Sequence, residues 1–146
     1  MDQLFAGAET VIAWASDPVP GAQAIQLVIR SQPDLGPGAS KSTALAVSIG
    51  QEPLCGGSLF VFYERVLAFA LRHNHPVHTI LAYVIAHEIG HILLPKPAHA
   101  PFGLMKGEWD DKDLRRITAS PGFSPEQIAA MRARQRSCQP RFETRN

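Results

Sequence analysis

The hydrophobic positions of this chain form strand-like runs in its first half and helical patterns in its second half. Four segments rich in β-branched and apolar residues predict strands. These are residues 10–16, 24–30, 43–49 and 58–63. Turns rich in proline and glycine separate the first three segments, without a visible crossover helix between them. The order of the strands in a sheet therefore cannot be predicted from the sequence.

Helical periodicity begins at residue 64, directly after the last predicted strand. Four helices are predicted: 64–72, a long apolar helix over 76–94, a short helix from Asp110 or Asp111 to 119, and 124–137. Proline ends the long helix, because it cannot continue the hydrogen-bond ladder. Together these elements predict an α+β fold. We expect a mixed, mostly parallel sheet of about four strands, packed on the long helix, with further helices in the C-terminal part.

Composition and charge bound the class of protein. The chain has 146 residues, 45% of them apolar and 18% charged, which is typical of one globular domain over residues 1–146. Its net charge of +1 gives no indication of nucleic-acid binding. The longest apolar run contains two histidines and a glutamate, so we expect no membrane span. We expect a monomer.

The N-terminus and the two cysteines leave the compartment open. The first ten residues, MDQLFAGAET, lack the basic and apolar regions of a secretory signal. Secretion with the presequence removed and a cytoplasmic location both stay open. Cys55 and Cys138 can form one disulfide or remain two free thiols. They are not a CxxC pair, so we do not expect a cysteine-based zinc site.

The long helix contains the pattern His87-Glu88-Ile89-Gly90-His91, an HExxH motif. Positions i and i+4 of an α-helix lie on one face, so His87 and His91 can present two imidazoles to one point. Glu88 projects about 100° around the axis from His87, within reach of a water at that point. Two imidazoles suit zinc, and a carboxylate that is not a ligand suits a general base. Such polar groups are costly in an apolar helix unless they have a function.

A catalytic zinc usually takes three protein ligands and leaves one position for water. The third ligand must come from outside the helix. His99 lies eight residues after His91, beyond a proline-rich break where the chain can fold back. We favour it because a short reversal delivers it to the helix. The competing candidates are acidic: Glu108, Asp110, Asp111 and Asp113.

A second histidine group precedes the motif. His73, His75 and His78 form an HxHxxH pattern that resembles a metal site. They span a loop and the start of the long helix, and no carboxylate lies near them in the sequence. We expect a polar helix entrance, with a second metal site as the alternative.

The segment from His87 to Met105, HEIGHILLPKPAHAPFGLM, resembles the metzincin clan of zinc metalloproteases. The metzincin signature is HExxHxxGxxH followed by a Met-turn. The chain is closer still to a group of small bacterial metzincin-like proteins, in which an HEIGHLLL helix precedes an AHSPxGIM-like segment and a tryptophan. Trp109 matches that tryptophan, and VFYERV at 61–66 and FSPEQIAAMR at 123–132 also look like this group. The resemblance covers roughly the last 90 residues.

The resemblance implies zinc held by His87, His91 and His99, with Glu88 as the general base. It also implies that Met105 lies in a turn and forms an apolar floor below the metal. The usual signature places the third histidine six residues after the second, whereas here the step is eight. Leu94 stands where the signature has glycine, so we expect the two extra residues and two prolines to build a wider turn.

These residues predict a zinc-dependent peptidase acting on a peptide or protein substrate. Glu88 would take a proton from the zinc-bound water and pass it to the leaving amine. An edge strand near the helix, for which we favour the third predicted strand, would bind an extended peptide. Two alternatives stay open: a non-proteolytic zinc-binding scaffold or binding module, and a zinc hydrolase of a non-peptide amide. Tyr83, one turn before His87, either lines the cleft or packs in the core.

Overall fold

The structure is a computed structural model that describes residues 2–8, 10, 12–17, 24–31, 43–51, 56–96 and 99–138. After a short 3-10 helix at Asp2–Phe5, these residues form three strands and four α-helices. The strands are β1 (Ile25–Arg30), β2 (Ala46–Gln51) and β3 (Gly56–Phe62). The helices are α1 (Tyr63–Arg72), α2 (Val77–Leu93), α3 (Asp111–Ala119) and α4 (Pro125–Cys138). This arrangement confirms the predicted α+β class.

The sheet differs from the predicted one. Its described strands lie in the order β1-β3-β2, with β1 parallel and β2 antiparallel to β3. The prediction of about four mostly parallel strands is therefore wrong for the described residues, which form three strands with one pair of each kind. The predicted strand over 10–16 is not formed by those of its residues that are described. Trp14 in this segment is 61% exposed, and a β-rich composition forms no strand without a partner and a buried face.

One face of the sheet packs against α2. Ala46 and Ser48 of β2 lie opposite Val61 and Leu59 of β3, so all four side chains are on that face. Leu59 and Val61 are almost fully buried. Ser48 sits between apolar neighbours on a core-facing position, which directs its hydroxyl towards the helix. Strand β2 is an edge strand of the sheet that the described residues form.

Helix α2 is the centre of the fold, and its residues from 83 to 90 are all buried. It packs against β2, β3, α1, α4 and the N-terminal 3-10 helix. It begins after Pro76, which is extended, and ends at Leu94, which has φ −82° and ψ 141°. The apolar character of α2 on all sides is what a helix surrounded by other elements requires. None of the described helices is long and apolar enough to cross a membrane.

The two C-terminal helices each begin at a reciprocal pair of hydrogen bonds between the capping residue and the residue three positions later. Asp110 accepts from the backbone N–H of Asp113 in α3, while the Asp113 carboxylate accepts from the backbone N–H of Asp110. Ser124 and Gln127 exchange the same kind of bonds at the start of α4. Cys138, the last residue of α4, is disulfide-bonded, and Cys55 lies outside the described residues.

Candidate metal centre

His87 and His91 lie side by side on one face of α2. Their Nε2 atoms are 3.0 Å apart, and their ring centroids are separated by 4.6 Å. Two imidazole nitrogens that share a tetrahedral zinc ion lie about 3.3 Å apart, given Zn–N bonds of about 2.0–2.1 Å. The helix therefore holds these two nitrogens close to the separation that a shared zinc ion requires.

His99 completes the group. Its ring centroid lies 5.3 Å from that of His87 and 5.0 Å from that of His91. One nitrogen from each of the three histidines lies within 4.8 Å of the others. Among the described residues, this is the one group of three histidine, cysteine or acidic side chains that converges closely enough to hold a metal. The preference for His99 over the acidic candidates agrees with this geometry.

The acidic candidates have other positions. Asp110 and Asp113 form the cap of α3, and Asp113 also pairs with Lys106. Asp111 accepts a hydrogen bond from Nδ1 of His73 at 2.5 Å. Glu108 is exposed and lines the cleft in front of the histidines. Folding therefore brings a carboxylate to the HxHxxH pattern. The resulting pair, His73 and Asp111, joins the turn before α2 to α3.

The chain leaves α2 between His91 and His99 without a glycine at the end of the helix. Leu94 leaves α2 in an extended conformation that any L-residue can adopt, so glycine is not needed there. The chain then closes a small loop in which the backbone N–H of Ala100 donates to the carbonyl of Met105 at 2.7 Å. Gly103 provides the positive φ of +76° in this loop. This closure places His99 beside the end of α2.

Gly107 determines how closely the returning chain approaches His99. A Cβ atom at Gly107 would lie only 2.8 Å from Nδ1 of His99 and 3.1 Å from its Cγ. Contacts this short are rarely observed for real Cβ atoms, so a side chain at this position would displace the imidazole. The glycine thus allows the backbone to support the third histidine directly.

The turn at Leu104 and Met105 orients the first histidine. The carbonyl of Leu104 accepts a hydrogen bond from Nδ1 of His87 at 2.7 Å. A carbonyl can only accept, so Nδ1 carries the proton and Nε2 keeps its lone pair facing His91. Met105 is fully buried below the helix, and its sulfur would be 2.5 Å from a Cβ atom at Gly90. The turn therefore packs against the motif itself.

Two aromatic rings complete the wall beside His87. Trp109 packs edge-on against His87, with ring centroids 5.6 Å apart, and against Tyr83 at 6.4 Å. Tyr83 is only 6% exposed, and its hydroxyl lies 3.1 Å from Oγ1 of Thr118 in α3. Of the two alternatives for Tyr83, packing in the core is the one the structure supports. The ring of Tyr83 packs against Trp109, which in turn packs against His87.

Glu88 points to a different neighbour. Its side chain is only 8% exposed, and Oε2 accepts a hydrogen bond from the hydroxyl of Ser48 at 2.7 Å. Burial raises the pKa of Glu88, because the charged form loses hydration, and the Ser48 hydrogen bond opposes this shift. Glu88 is outside the histidine group but lines the same cleft. A carboxylate whose pKa is raised accepts a proton more readily than an exposed one.

The histidines have the protonation state that metal binding needs. Burial lowers the pKa of His87, and it lowers that of His91 to about 4, with a further contribution from the neighbouring imidazoles. Both rings are therefore neutral at pH 7. Nδ1 of His91 is buried without a hydrogen-bond partner among the described residues, while its Nε2 faces His87. Three imidazoles that converge in this way fit a zinc ion as ligands.

The site opens into a cleft of about 1260 Å³. Its walls come from β2 and the residues before it, from one side of α1, from α2 and from the segment around Trp109. This volume exceeds what a single side chain fills and is adequate for several residues of a peptide. The three histidines therefore line an accessible groove.

Comparisons of the chain with protein-family models, curated proteins and solved structures found no match. The metzincin resemblance accordingly stays a prediction that depends on the motif.

Sequence reasoning did not find three contributors to this site. They are Ser48, the carbonyl of Leu104 and Gly107. Ser48 is one serine in a strand, and a backbone carbonyl has no sequence signal at all. Gly107 follows the Met-turn, and its position beside His99 is determined only by the loop closure.

Proposed function

We propose that this protein is a zinc-dependent peptidase that cleaves peptide bonds with Glu88 as the general base. The proposal rests on one observation: side chains of a single helix are divided between the ligand set and a separate carboxylate. His87, His91 and His99 converge as a three-nitrogen ligand set, whereas the adjacent carboxylate is turned to Ser48 and the cleft. A purely structural zinc site usually has four protein ligands and needs no such carboxylate.

Zinc held by these histidines would lower the pKa of a bound water towards neutrality and polarise the scissile carbonyl. Glu88 accepts the proton of the attacking water and delivers it to the nitrogen of the leaving amine. Burial raises the pKa of Glu88, which makes the carboxylate a better proton acceptor than an exposed glutamate. Ser48 holds the carboxylate in place and stabilises its charged form before the reaction.

The position of β2 supports binding of an extended peptide. Ser48 lies in this strand, so the edge strand runs directly beside Glu88. A peptide that adds to an edge strand gains backbone hydrogen bonds along its length. In this arrangement its backbone would pass through the cleft next to the histidines.

The test compares zinc content with cleavage of a mixed peptide library. Wild-type protein should bind one zinc ion and cleave peptides. Glu88→Gln should keep the zinc and lose cleavage by about 10²–10⁴-fold, the usual contribution of general base catalysis. His99→Ala should lose zinc, because two ligands remain. Glu64→Gln, at the exposed first turn of α1, is the matched control and should behave as wild type.

Two results would refute the proposal as stated. Undiminished cleavage by Glu88→Gln would remove Glu88 from the mechanism. A wild-type protein that binds zinc tightly but cleaves no peptide of the library would favour the alternative, a zinc-binding scaffold.

A further inference from the structure

The cleft has a second wall, formed by one face of α1. Arg65, Ala68, Phe69 and Arg72 all line the cleft. Their spacing of i, i+3, i+4 and i+7 is that of neighbours on a single helix face. The cleft side of α1 is therefore an apolar patch with an arginine at each end.

Charged side chains are unequally distributed around the cleft. The cationic lining residues are Arg65, Arg72, Lys106 and Arg134, and the acidic ones are Glu88 and Glu108. Lys106 is already paired with Asp113. With that pair set aside, three cationic side chains and two acidic ones line the cleft, so its lining carries a net positive charge.

The two arginines differ in how they are held. Arg65 donates from Nη1 to the carbonyl of Ala44 at 2.8 Å, and its guanidinium lies 5.2 Å from the ring centroid of Phe62. Arg72 is exposed at the end of α1 and takes no part in the ion pairs between described residues. The guanidinium of Arg65 is therefore held in place and has further N–H donors for a ligand, whereas that of Arg72 can move to contact a ligand. A planar guanidinium matches a carboxylate with two parallel hydrogen bonds.

We propose that Arg72 selects peptide substrates by binding a carboxylate group in the cleft, with Arg65 as a second such subsite. This inference rests on the proposed peptidase function and names its substrate class, acidic peptides. The two arginines are seven positions apart, or about 10.5 Å along the helix. An extended peptide covers that distance in about three residues, so the arginines form two subsites. The carboxylate can belong to an aspartate or glutamate side chain, or to the C-terminus of the peptide.

The test uses fluorogenic peptide pairs that differ by glutamate or glutamine at one position, each with a free or an amidated C-terminus. Wild-type protein should cleave the glutamate peptides with kcat/KM about 10-fold higher or more, as expected for a charge-assisted hydrogen bond. Arg72→Gln should lower this ratio towards one, and Arg72→Glu should reverse it in favour of the glutamine peptides, because it repels the glutamate carboxylate. Arg136→Gln, exposed on α4 and outside the cleft lining, is the matched control and should keep the wild-type ratio.

The outcomes separate this inference from the proposed function. A preference that follows only the free C-terminus identifies that group as the carboxylate and supports the inference. Equal cleavage of both members of every pair by wild-type protein overturns it, while the peptidase function stands.

If no peptide is cleaved, the peptidase function fails, and binding decides the inference. Fluorescence anisotropy would then compare labelled glutamate and glutamine peptides on zinc-loaded Glu88→Gln protein. Tighter binding of the glutamate peptide, lost in the double variant with Arg72→Gln, supports a carboxylate subsite. Equal binding overturns it.

Discussion

Replacing Gly90 by alanine tests whether the Met-turn and the HExxH helix form one packed unit. A Cβ atom at Gly90 would lie 2.5 Å from the sulfur of Met105 and 2.8 Å from Cε1 of Phe123. Met105 is fully buried and Phe123 is 8% exposed, so neither side chain can swing into solvent. The methyl group must therefore push the turn away from α2 or displace the phenyl ring.

The expected magnitude is the difference between two opposing effects. Overpacking of a filled core by a methyl group costs about 1–3 kcal/mol. Alanine in a helix interior is better than glycine by about 0.5–1 kcal/mol. Both contacts are shorter than 3.0 Å, so the upper part of the overpacking range applies, and we expect Gly90→Ala to lower the free energy of unfolding by about 1–2 kcal/mol. For a chain of 146 residues this corresponds to a Tm decrease of about 2–8 °C.

The same substitution should weaken zinc binding. The turn that carries Met105 also carries the carbonyl of Leu104, which orients His87. Displacing the turn lengthens that hydrogen bond, and loss of such an outer partner typically costs 10–100-fold in metal affinity. Zinc affinity would be measured by competition with a chromophoric chelator, and Tm by circular dichroism of the metal-free protein.

Gly50→Ala is the matched control, because a Cβ atom there meets nothing within 4 Å. It should leave zinc affinity unchanged. A Gly90→Ala protein with wild-type or higher Tm and normal zinc affinity would refute the reasoning, since it would show that Met105 and Phe123 yield without cost.

Two further predictions concern pH. Ser48→Ala removes a hydrogen bond that lowers the pKa of Glu88, so the acidic limb of the pH profile of kcat/KM should move to higher pH. Ser58 lies on the opposite face of the sheet, so Ser58→Ala is the control and should leave that limb unchanged. The metal-free protein should lose stability as the pH falls from 6.5 towards 4, because burial lowers the pKa of His91 from 6.5 to about 4. In this pH range the unfolded chain binds a proton that the folded chain does not, so the free energy of unfolding falls. His91→Asn lacks this group, so its free energy of unfolding, measured with urea, should depend less steeply on pH.

The helical half of the chain was predictable because its signals are local. Proline residues, capping side chains and the apolar run at 76–94 act on their own neighbours in sequence. The structure accordingly confirms α1, α2, α3 and α4 to within one or two residues. The pairing of His87 with His91 follows from helix geometry alone, since i and i+4 share a face in any α-helix.

The sheet was less predictable because strand formation depends on partners that are distant in sequence. The segment 10–16 has the composition of a strand, yet its described residues pair with no other strand. The segment 43–49 does form most of β2, but its antiparallel pairing with β3 and its edge position are tertiary facts. Burial and pairing decide between strand and coil for such short apolar segments.

The sequence by itself determined the helix, the two histidines on its face and the carboxylate between them. Tertiary structure decided the rest of the centre, because each remaining contribution joins residues from separate elements. The closed loop after α2 brings His99 to the pair, the Leu104 carbonyl sets the tautomer of His87, and β2 brings Ser48 to Glu88. A sequence motif predicts which side chains share one face of a helix. The partner of each of these side chains depends on how the loop, the strand and the helix pack together.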